Sequence, residues 1–306
     1  MPTAAIPVYP AELVAVLIAV TAGQPRILTV QAGRALPSGP FELGHKSLQS
    51  SLRAWVEQQT HHPLGYVEQL YTFADRGGPG IESIPHAISI SYLALTQEGR
   101  ASGGYEAGWQ GWYDYFPWED QRTGPSPATS SLVAGLRDWT GAARDPAASG
   151  DRWQRAAITF GLDGREWNEE MVLQRYELLY EAGLVPEAPQ PQAQLAPGRP
   201  MSLDHRRIAA TGIARLRAKI KYRPVVFELL PPEFTLLQLQ RTVEGIAGRL
   251  LHKQNFRRLI EQQDLVEDTG VISSGTGGRP AKLFRFRREV LSERAVAGTK
   301  LPLSRP

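Results

Sequence analysis

The chain contains no cysteine. Disulfides and thiolate zinc sites are therefore excluded, and nothing points to an oxidising compartment. It also lacks a long apolar run. Leu13 to Val20, an obvious candidate, is far short of the ~20 residues a transmembrane helix needs. The N-terminal residues have no basic flank of the kind that opens a signal peptide. A cytoplasmic protein without membrane contact and without a bound cofactor is the expectation. At 306 residues there is room for two domains with proper cores.

Charge is unevenly spread behind a net value of +3. Residues 1–202 hold 14 Arg and Lys against 21 Asp and Glu, whereas residues 203–306 hold 20 against 10. A basic third on an acidic body is the electrostatic pattern of a nucleic-acid-binding module. A solvated basic surface has the same composition, so the position of the charges within motifs must decide.

Carboxylates are missing where a known pattern needs them. Gly39 is followed after five residues by His45 and after seven more by Arg53, then Ala54, Trp55, Val56, Glu57 and Gln58. The register resembles the Nudix box, in which Gly, Glu, Arg and a Glu-rich helix hold Mg²⁺ against a diphosphate. Here His45, Ala54 and Gln58 replace three of the four glutamates and leave Glu57. A hard cation wants several oxygen ligands in near-octahedral geometry. The expectation is a Nudix scaffold that is not an enzyme and holds no metal, with Arg53 paired to Glu57 on the box helix.

Around the box, Leu13–Val20 and Arg26–Val30 read as an opening hairpin turned by Gly23-Gln24-Pro25. Leu48, Leu52, Trp55 and Val56 recur at helical spacing. Val67–Asp75 and Ser89–Leu95 read as a strand pair. Residues 105–200 read as an insertion and linker. The insertion opens on Trp109, Trp112, Tyr113, Tyr115, Phe116 and Trp118, which either stack on a nucleobase or pack the insertion onto its parent domain. Helices are expected around Leu132–Thr140 and Asn168–Gly183, and Pro186–Pro200, rich in Pro, Gln and Ala, as an exposed or disordered linker. A further helix is expected over 203–222, with His205 a surface or capping residue.

The strongest positive pattern lies in 223–288. Thr235 and Gln238 form a capping box, because a threonine hydroxyl can accept from the helix-start amide while the glutamine reaches back. Leu236, Leu239, Val243 and Ile246 line one face, and Gly245 and Gly248 precede a second helix from Lys253. Phe256, Leu259 and Ile260 face inward there, leaving Lys253, Gln254, Asn255, Arg257 and Arg258 outward. Helix, glycine-bearing turn and basic helix is a helix-turn-helix arrangement. Leu265–Thr269 and Lys282–Arg287 then read as a wing, with a Gly-rich tip reaching Arg279. The predicted DNA contacts are Lys253, Gln254, Asn255, Arg257, Arg258, Arg279 and Lys282. His252 stands where a better N-cap is common.

Pro224-Val225, Leu229-Leu230-Pro231, Phe234-Thr235-Leu236, Asn255-Phe256-Arg257-Arg258 and Gly278-Arg279-Pro280-Ala281 resemble Nudix-related, NrtR-like transcriptional regulators of NAD metabolism. Trp112-Tyr113 and Pro117-Trp118-Glu119-Asp120 resemble the NadQ-type subgroup. The resemblance implies an α+β chain: a Nudix-like α/β/α sandwich over 1–222 with the helical insertion, then a winged helix-turn-helix over 223–306. It further implies a dimeric repressor of pyridine nucleotide biosynthesis. Its partners would be double-stranded operator DNA and a nucleotide effector, NAD-related or an adenine nucleotide, with Arg26, Phe41, His45 and Trp112 as candidate effector contacts. Two other readings stand beside it: a Nudix pyrophosphohydrolase with atypical metal ligands, and a protein-docking scaffold.

Overall fold

The computed structural model describes residues 11–41, 47–73, 88–99, 105–273 and 280–290. Its first half is built on β1 (Ala11–Thr21), a strand with Leu13 through Ala19 all solvent-free. Alternate residues of a strand face opposite sides, so a continuous apolar run means both faces are covered. Leu13, Ala15 and Leu17 meet Leu52 and Val56 of α1 (Leu48–Thr60), while Val14, Val16 and Ile18 belong to the larger core on the other side.

β1 turns at Ala22-Gly23, both at positive φ (52° and 74°), into antiparallel β2 (Gln24–Thr29). That is the backbone a tight hairpin wants, and the reason for glycine at the second position. β3 (Ser38–Pro40) pairs with the start of β1. β4 (Tyr66–Phe73) and β5 (Ile88–Leu95) are antiparallel to each other, and β5 runs parallel to β1. β6 (Gly108–Gly111) completes the order β4-β5-β1-β2-β6. The insertion therefore begins by supplying an edge strand beside β2.

From β6 the chain enters a short α2 (Trp112–Tyr115), then α3 (Pro127–Gly141), α4 (Pro146–Phe160) and α5 (Val172–Glu181). The last lies against α6 (His205–Lys219). A β-carbon on Gly212 of α6 would fall 2.8 Å from a Val16 methyl, so helix and sheet touch backbone to side chain there. Residues 186–200 are not the loose linker expected. Gln192 and Ala196 donate backbone hydrogen bonds of 2.8 and 2.7 Å to the carbonyls of Gly183 and Leu184. Ala188 and Ala196 are buried, and Glu187 both accepts from the Met201 amide (3.0 Å) and pairs with Arg206 (3.3 Å). The segment is an ordered strap. His205 is likewise no surface residue: it is buried, and its Nδ1 accepts from the Leu36 amide at 2.8 Å.

The C-terminal part comprises β7 (Glu233–Phe234), α7 (Leu236–Ala247), α8 (Lys253–Gln262), β8 (Val266–Ser273) and β9 (Ala281–Phe286), in a small sheet ordered β7-β9-β8. Phe284 and Phe286 pack inward, the latter stacked on Phe227 at 4.3 Å. The whole is an α+β chain, an α/β/α sandwich with a helical insertion followed by a winged helix-turn-helix. Among the described residues no helix is long and apolar enough to cross a membrane.

Candidate nucleic-acid interface

α7 begins as its sequence requires. Thr235 Oγ1 accepts from the Gln238 amide (3.1 Å), and the Gln238 side chain accepts from the Thr235 amide (2.7 Å), so two helix-start donors are satisfied at once. Leu236, Leu239, Val243 and Ile246 are all buried. The helix ends on Gly248, held left-handed at φ 71°. The turn that follows is pinned from within: Glu244 accepts from the Leu251 amide (2.9 Å) and Gln240 donates to the Leu251 carbonyl (3.1 Å).

α8 buries Phe256 and Ile260 and exposes Lys253, Gln254, Asn255, Arg257 and Arg258. All five can donate to phosphate or to base edges through cationic or amide groups on the first two turns, and the two amides add a bidentate option. Its N-cap, His252, makes no side-chain capping bond. The first amides of α8 therefore have no side-chain cap from His252. Of the wing residues, Lys282 is exposed and paired with Asp268 at 2.7 Å, so part of its charge is already engaged. Arg279 lies outside the described residues.

The α7–α8 turn is also gripped from outside, by the insertion and by α6. Tyr113 donates to the Gly245 carbonyl (2.7 Å), the Gln121 amide to the Gly248 carbonyl (2.7 Å), and Arg217 Nε to the Ile246 carbonyl (2.8 Å). Arg217 is fully buried and shares Glu119 with Arg175, which is also solvent-free. Arg175 Nη2 meets Glu119 Oε2 at 2.9 Å and its Nη1 reaches the carbonyls of Thr159 and Asn168, both at 3.0 Å. Burial pushes the Glu119 carboxyl up, but the two guanidinium groups outweigh that and hold it below the ordinary carboxylate range. One carboxylate thus ties α5, α6 and the helix-turn-helix into a single cluster. The sequence carried a signal for it. Arg175 falls between Val172 and Leu179 on the apolar face of α5, and Arg217 sits between Ile213 and Ile220 on that of α6.

The box is placed as expected and its chemistry is altered. Trp55 lies directly on Gly39, where a β-carbon would be 2.3 Å from the indole, and its Nε1 donates to the Pro40 carbonyl at 2.9 Å. Gln59 clamps the Ser38 backbone, accepting from its amide (3.1 Å) and donating to its carbonyl (2.7 Å). Glu57 and Gln58 are exposed. Arg53 does not pair with Glu57; it donates to the carbonyls of Leu64 and Gly65. The described box residues offer one carboxylate, and no group of three or more His, Asp or Glu side chains among the described residues is arranged to hold a metal. The side chains present do not fit the Mg²⁺ that such a box ordinarily holds.

The three described candidate effector contacts, Arg26, Phe41 and Trp112, do not converge. Trp112 is fully buried beneath α6, with Arg217 over its ring at 5.8 Å, so no face is free to stack on a base. The aromatic cluster is core: Tyr115, Phe116 and Trp118 are also solvent-free. Arg26 lies opposite Ala19 and is paired with Glu98 at 3.4 Å. Phe41, half exposed, donates its amide to the Ala11 carbonyl at the other end of β1. Eight residues of strand separate the two, roughly 26 Å at ~3.3 Å per residue. His45 lies outside the described residues.

This combination defines a class: a winged helix carried by a sandwich of Nudix-like fold, in which the box register keeps Glu57 alone of its four glutamates. Residues 226–286 match the family model of the NrtR DNA-binding winged helix domain. The chain is 40% identical over 86 residues to the ADPR-responsive transcriptional repressor NtrR of Acinetobacter baylyi. That alignment spans 28% of this chain and about a third of the curated relative (34%). In fold it is similar to Shewanella oneidensis NrtR crystallised with a 27mer DNA, with a TM-score of 0.54 at 20% identity, over 92% of this chain and 95% of that one. A MutT/nudix family protein from Enterococcus faecalis gives a TM-score of 0.54 at 15% identity, over 94% and 90%. Residues 226–286 thus match an NrtR-type winged helix, and the chain as a whole is similar in fold to NrtR.

Proposed function

We propose that the protein is a cytoplasmic transcriptional repressor of NAD or related pyridine nucleotide biosynthesis. It binds operator DNA as a two-fold dimer through residues from 223 onward and senses a nucleotide through residues 1–222. The observation that carries this is the outward face of α8, where Lys253, Gln254, Asn255, Arg257 and Arg258 are all exposed on a helix seated by a helix-turn-helix. The wing adds Lys282 and Arg279. The relative's response to ADP-ribose makes ADP-ribose the first effector to test. Phe41 and His45, both in the first stretch of the box, are the side chains we assign to it; Arg26, paired with Glu98, and Trp112, fully buried, leave the assignment.

The same reading makes the protein a regulator rather than a hydrolase, since Glu57 is the one glutamate kept at the box's four glutamate positions where several oxygen ligands are needed. Incubation with ADP-ribose, NAD or ATP in Mg²⁺ or Mn²⁺ is expected to release no product above a blank. Turnover abolished by Glu57→Ala would replace this reading with that of an atypical pyrophosphohydrolase. A gel-shift titration on the gene's own upstream DNA, with and without ADP-ribose, tests the regulator directly. An effector must bind the DNA-competent and DNA-incompetent forms unequally to shift anything, so identical ADP-ribose affinity with and without operator rejects it as the effector.

A further inference from the structure

Between the β1–β2 turn and the winged helix runs an open groove of about 1160 Å³ whose cationic lining is Arg241, Lys253, Arg257 and Lys282. Lys253 and Arg257 belong to the outward face of α8. Arg241 does not: it stands exposed on α7, outside every motif read in the sequence. The acidic side chain lining the groove, Glu98, is occupied, accepting from Thr21 and paired with Arg26 at 3.4 Å. Cations therefore outnumber free carboxylates along the groove, and α8 supplies two of them, Lys253 and Arg257.

The base of Arg241 is fixed by close packing. A β-carbon on Gly23 would meet Arg241 Cβ at 3.1 Å, and one on Gly245, a turn further along α7, would lie 2.3 Å from the Gly23 carbonyl oxygen. Only glycine permits the turn to sit that closely against the helix. Arg122 holds the turn from the other side, donating to the Gly23 carbonyl (3.1 Å) and to Gln24 Oε1 (2.9 Å). The groove is thus walled by the sandwich as well as by the winged helix, with both walls locked together.

We infer that this groove takes the sugar-phosphate backbone of the operator duplex where it leaves α8, and that Arg241 is a phosphate-contacting residue. The groove shares Lys253 and Arg257 with the α8 face, so what occupies it is continuous with what α8 touches. A polyanion running along α8 meets Arg241 of α7 together with Lys253 and Arg257, beside Lys282 of the wing, which Asp268 already pairs. The inference rests on the DNA-binding reading above.

The test uses the full-length protein with operator and random-sequence duplexes, titrated by fluorescence anisotropy over a range of salt. Arg241→Ala is expected to weaken both duplexes alike, on the order of 5- to 10-fold near physiological salt, and to reduce the slope of log K against log salt by about 0.9, the value for one phosphate contact. Arg241→Lys should restore most of the affinity. An unchanged melting temperature in each variant shows that the fold is intact. Wild-type affinity and slope in both Arg241→Ala and Arg241→Glu would overturn the inference while leaving the regulator reading in place. Loss confined to the operator, with the slope unchanged, would overturn it too, because that is the behaviour of a base contact. An Arg241-dependent affinity for random duplex without operator preference would keep the inference and remove the operator reading. Wild type that binds no duplex overturns both.

Discussion

α6 and α8 are both rich in arginine, both lie in the basic third of the chain, and use that charge in opposite ways. On α6, Arg206 and Arg217 are solvent-free and paired with Glu187 and Glu119, and Arg207 and Arg215 reach Glu177 and Glu68 at 2.8 and 3.1 Å. On α8, Lys253, Arg257 and Arg258 are exposed. Much of the asymmetry between an acidic body and a basic tail is therefore neutralised within the molecule, across the contact between α6 and the sandwich and insertion. Net charge by segment overstates what is offered to a partner; the charge that remains unpaired marks the interface.

The comparison would break most visibly at Glu119. Removing one partner from a buried ion cluster leaves uncompensated charge, at a cost of about 3–5 kcal/mol. Glu119→Gln is expected to lower the denaturation midpoint accordingly and to weaken DNA binding, because Arg217 also holds the Ile246 carbonyl in the helix-turn-helix. Chemical denaturation measures it, and a loss under ~1 kcal/mol would mean the cluster is a solvated surface pair. A carboxyl held low contributes stability above its unfolded value and loses it as pH falls toward the folded one. The wild type should accordingly lose this contribution below about pH 4.5.

Arg257→Ala should do the reverse: stability unchanged within about 0.5 kcal/mol, with operator affinity reduced by roughly 1–3 kcal/mol and specificity relaxed. Anisotropy on operator and random duplexes alongside a thermal melt separates the two. A variant that melts early and binds normally would place Arg257 with the α6 arginines.

The same contrast explains what could be read from sequence. The β1–β2 hairpin, the Thr235–Gln238 box and the inward stripe of α8 were legible because local chemistry and hydrophobic period determine them. α4 was passed over although its ends are marked: Asp145 caps it by accepting from the Ala148 amide (2.8 Å), and Gly161 closes it at φ 63°. Its buried residues are Ala156, Ala157, Thr159 and Phe160, so a single large apolar side chain marks the inward face. The 186–200 strap was misread because its order comes from backbone bonds to Gly183, Leu184 and Asp114, which composition does not encode. Strand register, not proximity in sequence, likewise separates two of the effector candidates, putting Arg26 and Phe41 at opposite ends of β1.

His205 gives a smaller, pH-dependent effect. Burial holds its imidazole below the ordinary value, and the nearby Glu12 offsets this only in part. A histidine kept neutral in the fold lets the unfolded chain take the proton first, so stability is full above about pH 6.5 and declines as pH falls from there toward the folded pKa. Its Nδ1 also accepts from the Leu36 amide, which a protonated ring cannot do. His205→Asn keeps an acceptor in nearly the same place without the titration. Melting curves at pH 7.5 and 5.5 should show the wild type losing more than the variant; equal losses would show that His205 titrates as it does in the unfolded chain.

The smallest expected change tests the rule itself, that pairing withdraws a cation from the interface. Lys282 stands on the wing beside the DNA-facing groove, yet Asp268 holds it at 2.7 Å, and each shifts the other toward its charged form. Both groups are exposed, so solvent and salt screen the pair and its loss should leave the melting temperature unchanged. The effect belongs in binding. Asp268→Asn keeps a side chain of the same shape, removes a negative charge from the duplex-facing side and frees Lys282 for phosphate. Affinity should rise about two- to threefold at low salt for operator and random DNA alike, and the gain should shrink as salt is added, since exposed charges are screened beyond a Debye length of ~10 Å at 0.1 M. In a Lys282→Ala background the gain should fall by at least half. Weaker binding by Asp268→Asn would mean that the carboxylate positions Lys282 for DNA and does not compete for it. Pairing would then prepare a wing cation for the interface, whereas on α6 it removes the cation from it.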